Sequence, residues 1–383
     1  MPKKIFICAG EASGDMYGSH LVKEIKQLYP DAVFTGIGGE RMKEAGVRTY
    51  FGLSSLAYMG VLEVLRHYIR FRNIFNSLVR AARLEKPDLA ILIDYPSFNL
   101  RLAKKLNQAG VPIVYYISPQ IWAWGKKRIH TIKKLVRKII VIFNFEEAIY
   151  KKAGVDVEFV GHPLLDTARP KSTRSDFLRL LGLDEDKVTI ALLPGSRKKE
   201  VEHLLPVMMD TADIIHKEMP NTQFALAKYS DLPARLFDSI LKKHDIPVAA
   251  ADDRVHDILN AADFAIVKSG TGTLEAAIMA TPMIIVYRTS FLTALVSKLT
   301  IRLPYVGMVN VMSGKKIVPE FLQYDVRPKN MADEVLDILK HKGKYESIKQ
   351  DLVKIKGMLG QAGASRRAAN IIAEILEGSD RRP

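Results

Sequence analysis

The chain has 383 residues, 48% hydrophobic and 26% charged, with a formal net charge of +15 and one cysteine, Cys8. That length exceeds one ordinary core and predicts two domains, and the balanced composition places the chain with folded soluble proteins rather than disordered ones. A single cysteine excludes an internal disulfide and the usual cysteine zinc clusters, which fits a reducing cytoplasm, while positive charge spread along the whole length favours a polyanionic partner without choosing among nucleic acid, phosphorylated substrate and anionic lipid.

The N-terminus has basic residues and then only the short apolar run 5–9 before Gly10 and Glu11, so it reads as a buried strand rather than a signal peptide. Further short apolar runs at 33–37, 89–93, 113–117, 139–143 and 157–160 predict the strands of a first sheet. Those at 188–193, 223–227, 264–267 and 283–287 predict a second. Helical stretches alternate with them, the pattern of a mostly parallel α/β sheet. A Pro-rich, polar segment at 161–175 separates the two halves, which sets the domains at 1–166 and 167–354. After Pro328 the chain reads as helical, and a last helix at about 355–379 has no strand to follow it and is expected to pack back on the first domain. No run of about 18 uncharged apolar residues is present to span a membrane.

Ligands of open α/β sheets bind beyond the carboxyl ends of strands, so the polar residues there are the ones to weigh. Gly10-Glu11-Ala12-Ser13-Gly14-Asp15 is a Gly-bounded turn into a helix, either a site for a phosphate or sugar hydroxyl or a tight turn with Ser13 or Asp15 as the cap. Gly36-Ile37-Gly38-Gly39 has Arg41 where a dinucleotide fingerprint needs its third glycine, which argues against NAD. Between 51 and 83, Leu56, Met59, Val61, Leu62 and Leu65 crowd too many sides of one helix for a single core stripe, and Arg66, Arg70, Arg72, Arg80 and Arg83 adjoin them. Such a segment suits an anionic bilayer surface, with core helices as the alternative.

Asp94 leaves an apolar strand and is either a general base or a cap for the helix at 100–106. Gly195-Ser196-Arg197-Lys198-Lys199 puts cations at a helix start, where they are disfavoured unless an anion such as a diphosphate sits among them. Ser269-Gly270-Thr271-Gly272-Thr273 forms a phosphate cradle, and Glu275 is placed either to accept ribose hydroxyls or to complement the helix dipole. Asp184-Glu185-Asp186 has metal-ligand spacing but reads as an exposed loop, and the histidines lack ligand spacing, so no metal and no cofactor is expected.

Taken in order, these positions resemble the lipid-A-disaccharide synthase family over nearly the whole chain. The resemblance is carried by Gly10 to Asp15, Ile93-Asp94-Tyr95-Pro96 with Phe98-Asn99, and Ser118-Pro119-Gln120-Ile121-Trp122-Ala123-Trp124. It continues through Gly161-His162-Pro163, Pro194-Gly195-Ser196-Arg197, residues 269–275 and Asn310. Gly125 departs from it, standing where a basic residue is expected, so that any such role passes to Lys126. The resemblance implies a GT-B fold, two Rossmann-like parallel-sheet domains facing a cleft, and a homodimer with exchanged C-termini. It also implies transfer of diacylglucosamine from its UDP conjugate to diacylglucosamine 1-phosphate, giving a β-1,6 disaccharide and UDP; with such diacylated substrates, the apolar and basic segment at 51–83 is expected to bind peripherally at the cytoplasmic membrane face. Asp94 and Glu11 are then catalytic. Gly195, Ser196, Arg197, Ser269, Gly270, Thr271 and Glu275 hold UDP, and Ser13 and Asn310 hold the acceptor. The rival readings are another GT-B enzyme such as a UDP-sugar epimerase and, from a different class, a basic nucleic-acid-binding protein, against which no helix-turn-helix or RNA-binding motif is present.

Overall fold

In the computed structural model of the chain, the described residues are 2–53, 68–122, 125, 127–289 and 304–380. The first apolar run forms β1 (Lys4–Ala9), which is joined by β2 (Val33–Ile37), β3 (Val47–Phe51), β4 (Leu89–Ile93), β5 (Ile113–Tyr116), β6 (Lys138–Val141) and β7 (Val157–Phe159). They make a seven-stranded parallel sheet in the order β3-β2-β1-β4-β5-β6-β7. Helices cover both faces of such a sheet, so its central strands are apolar throughout, and every residue of β4 is buried.

A second parallel sheet has six strands, ordered β10-β9-β8-β11-β12-β13. Its members are β8 (Val188–Leu193), β9 (Thr222–Lys228), β10 (Val248–Asp252), β11 (Phe264–Lys268), β12 (Met283–Tyr287) and β13 (Glu320–Leu322). In both sheets the strand order reverses, between β1 and β4 in one and between β8 and β11 in the other. Such switch points open a crevice at the carboxyl ends of the strands. The sheets lie in separate compact units, one of Met1–Asp166 with Leu359–Pro383 and one of Thr167–Met358.

β3, β10 and β13 are absent from the sequence reading. All three are sheet edges with weak apolar signals: β3 carries Arg48 and Thr49, β10 is mostly alanine, and β13 spans three half-buried residues. The expected helix at 355–379 is two helices, Lys342–Met358 and Ala364–Asp380, broken at a turn containing Gly360 and Gly363. Asp166 accepts a hydrogen bond from the Gly363 backbone, and the Arg367 guanidinium donates to the Val160 carbonyl at 2.7 and 2.8 Å. The helix that follows packs on Ala12–Leu28 of the same chain. Among the described residues no helix is long and apolar enough to cross a membrane.

Candidate active site

Glu11 and Asp94 leave neighbouring strands of the first sheet, since Ala9 pairs with Ile93. Asp94 and Tyr95 both have left-handed backbone, φ 45° and 46°, so the chain turns sharply before the helix Pro96–Gln108. Two side chains hold that turn. Asn99 Nδ2 donates to the carbonyls of Ile93 and Asp94 at 3.0 and 2.8 Å, and the Tyr115 hydroxyl donates to the Asp94 carbonyl at 2.6 Å. The helix N-cap position belongs to Tyr95, so Asp94 is not at the cap, and its carboxyl takes a backbone hydrogen bond from Tyr95. Burial, with the Glu11 charge second, pushes Asp94 from the ordinary 3.8 up to about 7, where a base works best at neutral pH. Gly10 permits the arrangement, because a Cβ there would run into the Tyr95 ring.

Neither Ser13 nor Asp15 caps the helix Ala12–Leu28. Glu11 stands at that N-cap with extended backbone, and half-buried Ser13 lies in the first turn. Asp15 instead accepts from the backbone N–H groups of Gly39, Arg41 and Met42 at 2.6, 3.2 and 3.1 Å, capping the next helix, Glu40–Glu44. A further carboxylate that sequence reasoning passed over, Glu146, is 1% exposed. It accepts from the Ser118 hydroxyl at 2.8 Å and the Trp122 indole N–H at 3.1 Å, and burial pushes it up to about 7. Its signal lay in the Ser118 to Trp122 motif, whose two donors need an acceptor. His162 is buried against Tyr17 and Phe143, and burial lowers it to about 3, so it stays neutral and accepts from the Leu164 N–H at 3.1 Å.

In the second unit, Gly195 turns out of β8 with φ 116°, which favours glycine, and Arg197 occupies the N-cap position of the helix Lys198–Glu218. Glu200 Oε1 lies 3.3 Å from Arg197 and 2.8 Å from Lys268 Nζ at the end of β11, so an internal carboxylate sits among the cations. Exposed Ser196 belongs to the same turn. Across the switch point, the helix Thr271–Ile278 follows Ser269 and Gly270, with Gly270 and Thr271 exposed and Ser269 buried. Glu275 is beyond the first turn of that helix, so dipole complementation does not account for it; it pairs with His256 Nε2 at 2.9 Å.

Asn310 is wholly buried, and its amide is fully used within its own loop. Oδ1 accepts from Ile317 and Val318, while Nδ2 donates to the Val318 carbonyl and to Glu320. A hydrogen bond from it to an acceptor sugar would require breaking one of these, so Asn310 shapes the loop. Leu56, Met59, Val61, Leu62 and Leu65, with Lys126, lie outside the described residues. Residues 184–186 form an exposed turn, as expected. Among the described residues Asp210, Asp213 and His244 have metal-ligand spacing, and none of them belongs to the positions above.

The architecture matches solved GT-B enzymes. The UDP-GlcNAc 2-epimerase of Neisseria meningitidis, bound to UDP-GlcNAc, aligns with TM-score 0.60 at 11% identity over 99% of this chain and 100% of that one. The calicheamicin glycosyltransferase CalG4 aligns with TM-score 0.62 at 13% identity over 98% of each. Sequence relatives are nearer: lipid-A-disaccharide synthase of Syntrophus aciditrophicus is 42% identical over 379 residues, covering 99% of both chains, and that of Myxococcus xanthus is 39% identical over 375 residues, covering 98% of both. The family model for lipid-A-disaccharide synthetase matches residues 5–375. A GT-B fold, a strand-order switch point in each sheet and this match over nearly the whole chain make the chain a glycosyltransferase that belongs to the lipid-A-disaccharide synthetase family.

Proposed function

We propose that the chain joins UDP-2,3-diacylglucosamine to 2,3-diacylglucosamine 1-phosphate, forming the β-1,6 disaccharide 1-phosphate and releasing UDP. The observation that carries this is Asp94: a carboxyl at the sheet's switch point, turned by left-handed backbone and pushed up to about 7, in a chain related over its full length to the synthases. The unit Met1–Asp166 takes the acceptor, with Asp94 removing the proton of its 6-hydroxyl and Glu11 and Ser13 orienting the sugar. That oxygen attacks C1 of the donor on the face opposite the diphosphate, the C1–O bond to UDP breaks, and the configuration inverts. The proton stays on Asp94 until solvent takes it.

In the unit Thr167–Met358, the leaving diphosphate lies against Gly195, Ser196 and Arg197 and the exposed amides at Gly270 and Thr271 beyond Ser269. Each well-placed donor stabilises the growing charge by about 3 kcal/mol, by analogy with oxyanion sites. Glu275 accepts the ribose hydroxyls, and Asn310 contributes through its loop. The diacylated substrates reside in a bilayer, so the protein works peripherally on the cytoplasmic face, as a homodimer, with the segment containing Leu56, Met59, Val61, Leu62 and Leu65 against anionic lipid.

The test is to incubate purified protein with both substrates and analyse products by mass spectrometry. Disaccharide 1-phosphate and UDP in equal amounts are expected. An epimerised UDP-sugar, or UDP release that ignores the acceptor, would overturn the assignment.

A further inference from the structure

Glu146 stands in the first turn of the helix Asn144–Lys152. Oε1 takes both donors, Ser118 Oγ and Trp122 Nε1, while buried Oε2 has no hydrogen-bond partner among the described residues. A half-satisfied buried carboxyl is costly, and an apolar residue of similar volume would fill the space at less expense in stability. What the carboxyl does accomplish is to fix the loop after β5. The Tyr150 hydroxyl adds a hydrogen bond to the Pro119 carbonyl at 3.3 Å, tying the same loop to the same helix.

The consequence falls on Trp122. Its indole N–H is turned inward to Glu146, and its ring meets Phe145 edge-on, centroids 5.2 Å apart at 82°. Phe145 is in turn stacked on Phe143 at 5.7 Å. Trp122 is nevertheless only half-buried. An indole held by its polar end leaves apolar ring surface outward, and does so on the loop that continues from Tyr116 and Ile117, whose carbonyls both accept from the Asp94 N–H at 3.2 Å. We propose that Glu146 is a positioning residue for the acceptor: through Oε1 it holds the Trp122 indole, on the loop that leaves Asp94's neighbours Tyr116 and Ile117, as an apolar platform on which the acceptor sugar lies. This rests on the reading of the first unit as the acceptor site.

Steady-state kinetics with each substrate varied tests it on Glu146→Ala, Glu146→Gln, Trp122→Phe and the double variant Glu146→Ala/Trp122→Phe. In Glu146→Ala the acceptor KM is expected to rise roughly tenfold, the size of one hydrogen bond to a charged group, with kcat and donor KM within about twofold of wild type. Glu146→Gln keeps an acceptor oxygen for both donors and restores most of the loss. Trp122→Phe, which lacks the N–H, reproduces the alanine effect, and the double variant is no worse than the poorer single one. An unchanged acceptor KM in Glu146→Ala, or losses that multiply in the double variant, would overturn the proposal. So would a fall in kcat in Glu146→Gln with acceptor KM unchanged, which would mark Glu146 as a proton carrier. Should the alanine variant not fold, Trp122→Phe alone decides, since an unchanged acceptor KM there removes the platform. Failure of the wild type to form any disaccharide would strike the proposed reaction instead, and is read in a separate assay.

Discussion

Replacing Asp94 by Asn removes a base while leaving its surroundings in place. The hydrogen bonds from Asn99 and Tyr115 that hold the turn go to backbone carbonyls, the backbone hydrogen bond from Tyr95 to the carboxyl can be accepted equally by an Asn side-chain oxygen, and Asn tolerates the φ of 45° as well as Asp does. The variant is therefore expected to fold and to bind UDP as wild type does. A positioned base contributes about 10² to 10⁴ in rate, so kcat should fall at least a hundredfold. Stability moves the other way. An acid whose folded pKa is raised from 3.8 to about 7 leaves stability intact below pH 3.8. As pH climbs between those values the unfolded chain ionises first, and stability is lost until both forms are ionised. Each tenfold change in proton affinity is worth about 1.4 kcal/mol, so the wild type gives up at most about 4 kcal/mol above pH 7. Asp94→Asn should then be the more stable protein at pH 8 and gain nothing at pH 3.5. Urea unfolding at the two pH values, beside the kinetic assay, reads both effects. Retention of more than about a tenth of wild-type kcat would refute the base assignment, and an equal stability difference at both pH values would refute the raised pKa.

Glu275→Ala is expected to weaken UDP binding chiefly, with the hydrogen bonds lost from ground and transition state alike, and unchanged UDP affinity by calorimetry would count against the ribose contact. Gly10→Ala forces a methyl into the Tyr95 ring and should lower both the melting temperature and kcat by disturbing the Asp94 turn; a variant with wild-type values for both would show that the turn yields. Activity should survive a strong chelator, which is checked by assay with and without EDTA, and rescue of a chelated, inactive sample by magnesium would reverse that expectation. Changing Met59, Val61 and Leu62 together to Ser should reduce cosedimentation with anionic liposomes while UDP binding persists, and unchanged cosedimentation would place the membrane contact elsewhere.

Most strands that sequence periodicity located are buried on both faces, such as β4 and β8, where a continuous apolar run is a physical necessity; β7, a half-buried edge that still carries an apolar run, is the exception. Edge strands β3, β10 and β13 bury too little to mark the sequence. The residues after β1, β4, β8 and β11 were legible for the same reason the strands were, because a polar residue ending an apolar run announces a strand's exit. Contacts between distant parts of the chain were not. Nothing periodic links Glu146 to Ser118, 28 positions away, and Glu146 beside Glu147 at a helix start reads as dipole complementation. Asp15 suffered the same ambiguity, since an acid in the first turn of one helix gave no hint that it caps another. Asn310 carried a family motif, but its burial and fully engaged amide are set by the loop at 317–320 folding over it. Glu200 is the reverse case, an acid among cations whose pairing with Lys268 depends on the adjacency of β8 and β11.

The central claim, that Asp94 is the base, is tested most directly by titrating its carboxyl. With carboxyl-labelled aspartate, one carbon resonance should titrate near pH 7, disappear in Asp94→Asn, and coincide with the pH at which acceptor kcat/KM loses its rise. A resonance assigned to Asp94 that titrates at the ordinary carboxylate value, or a rate profile flat through pH 7, would contradict the account.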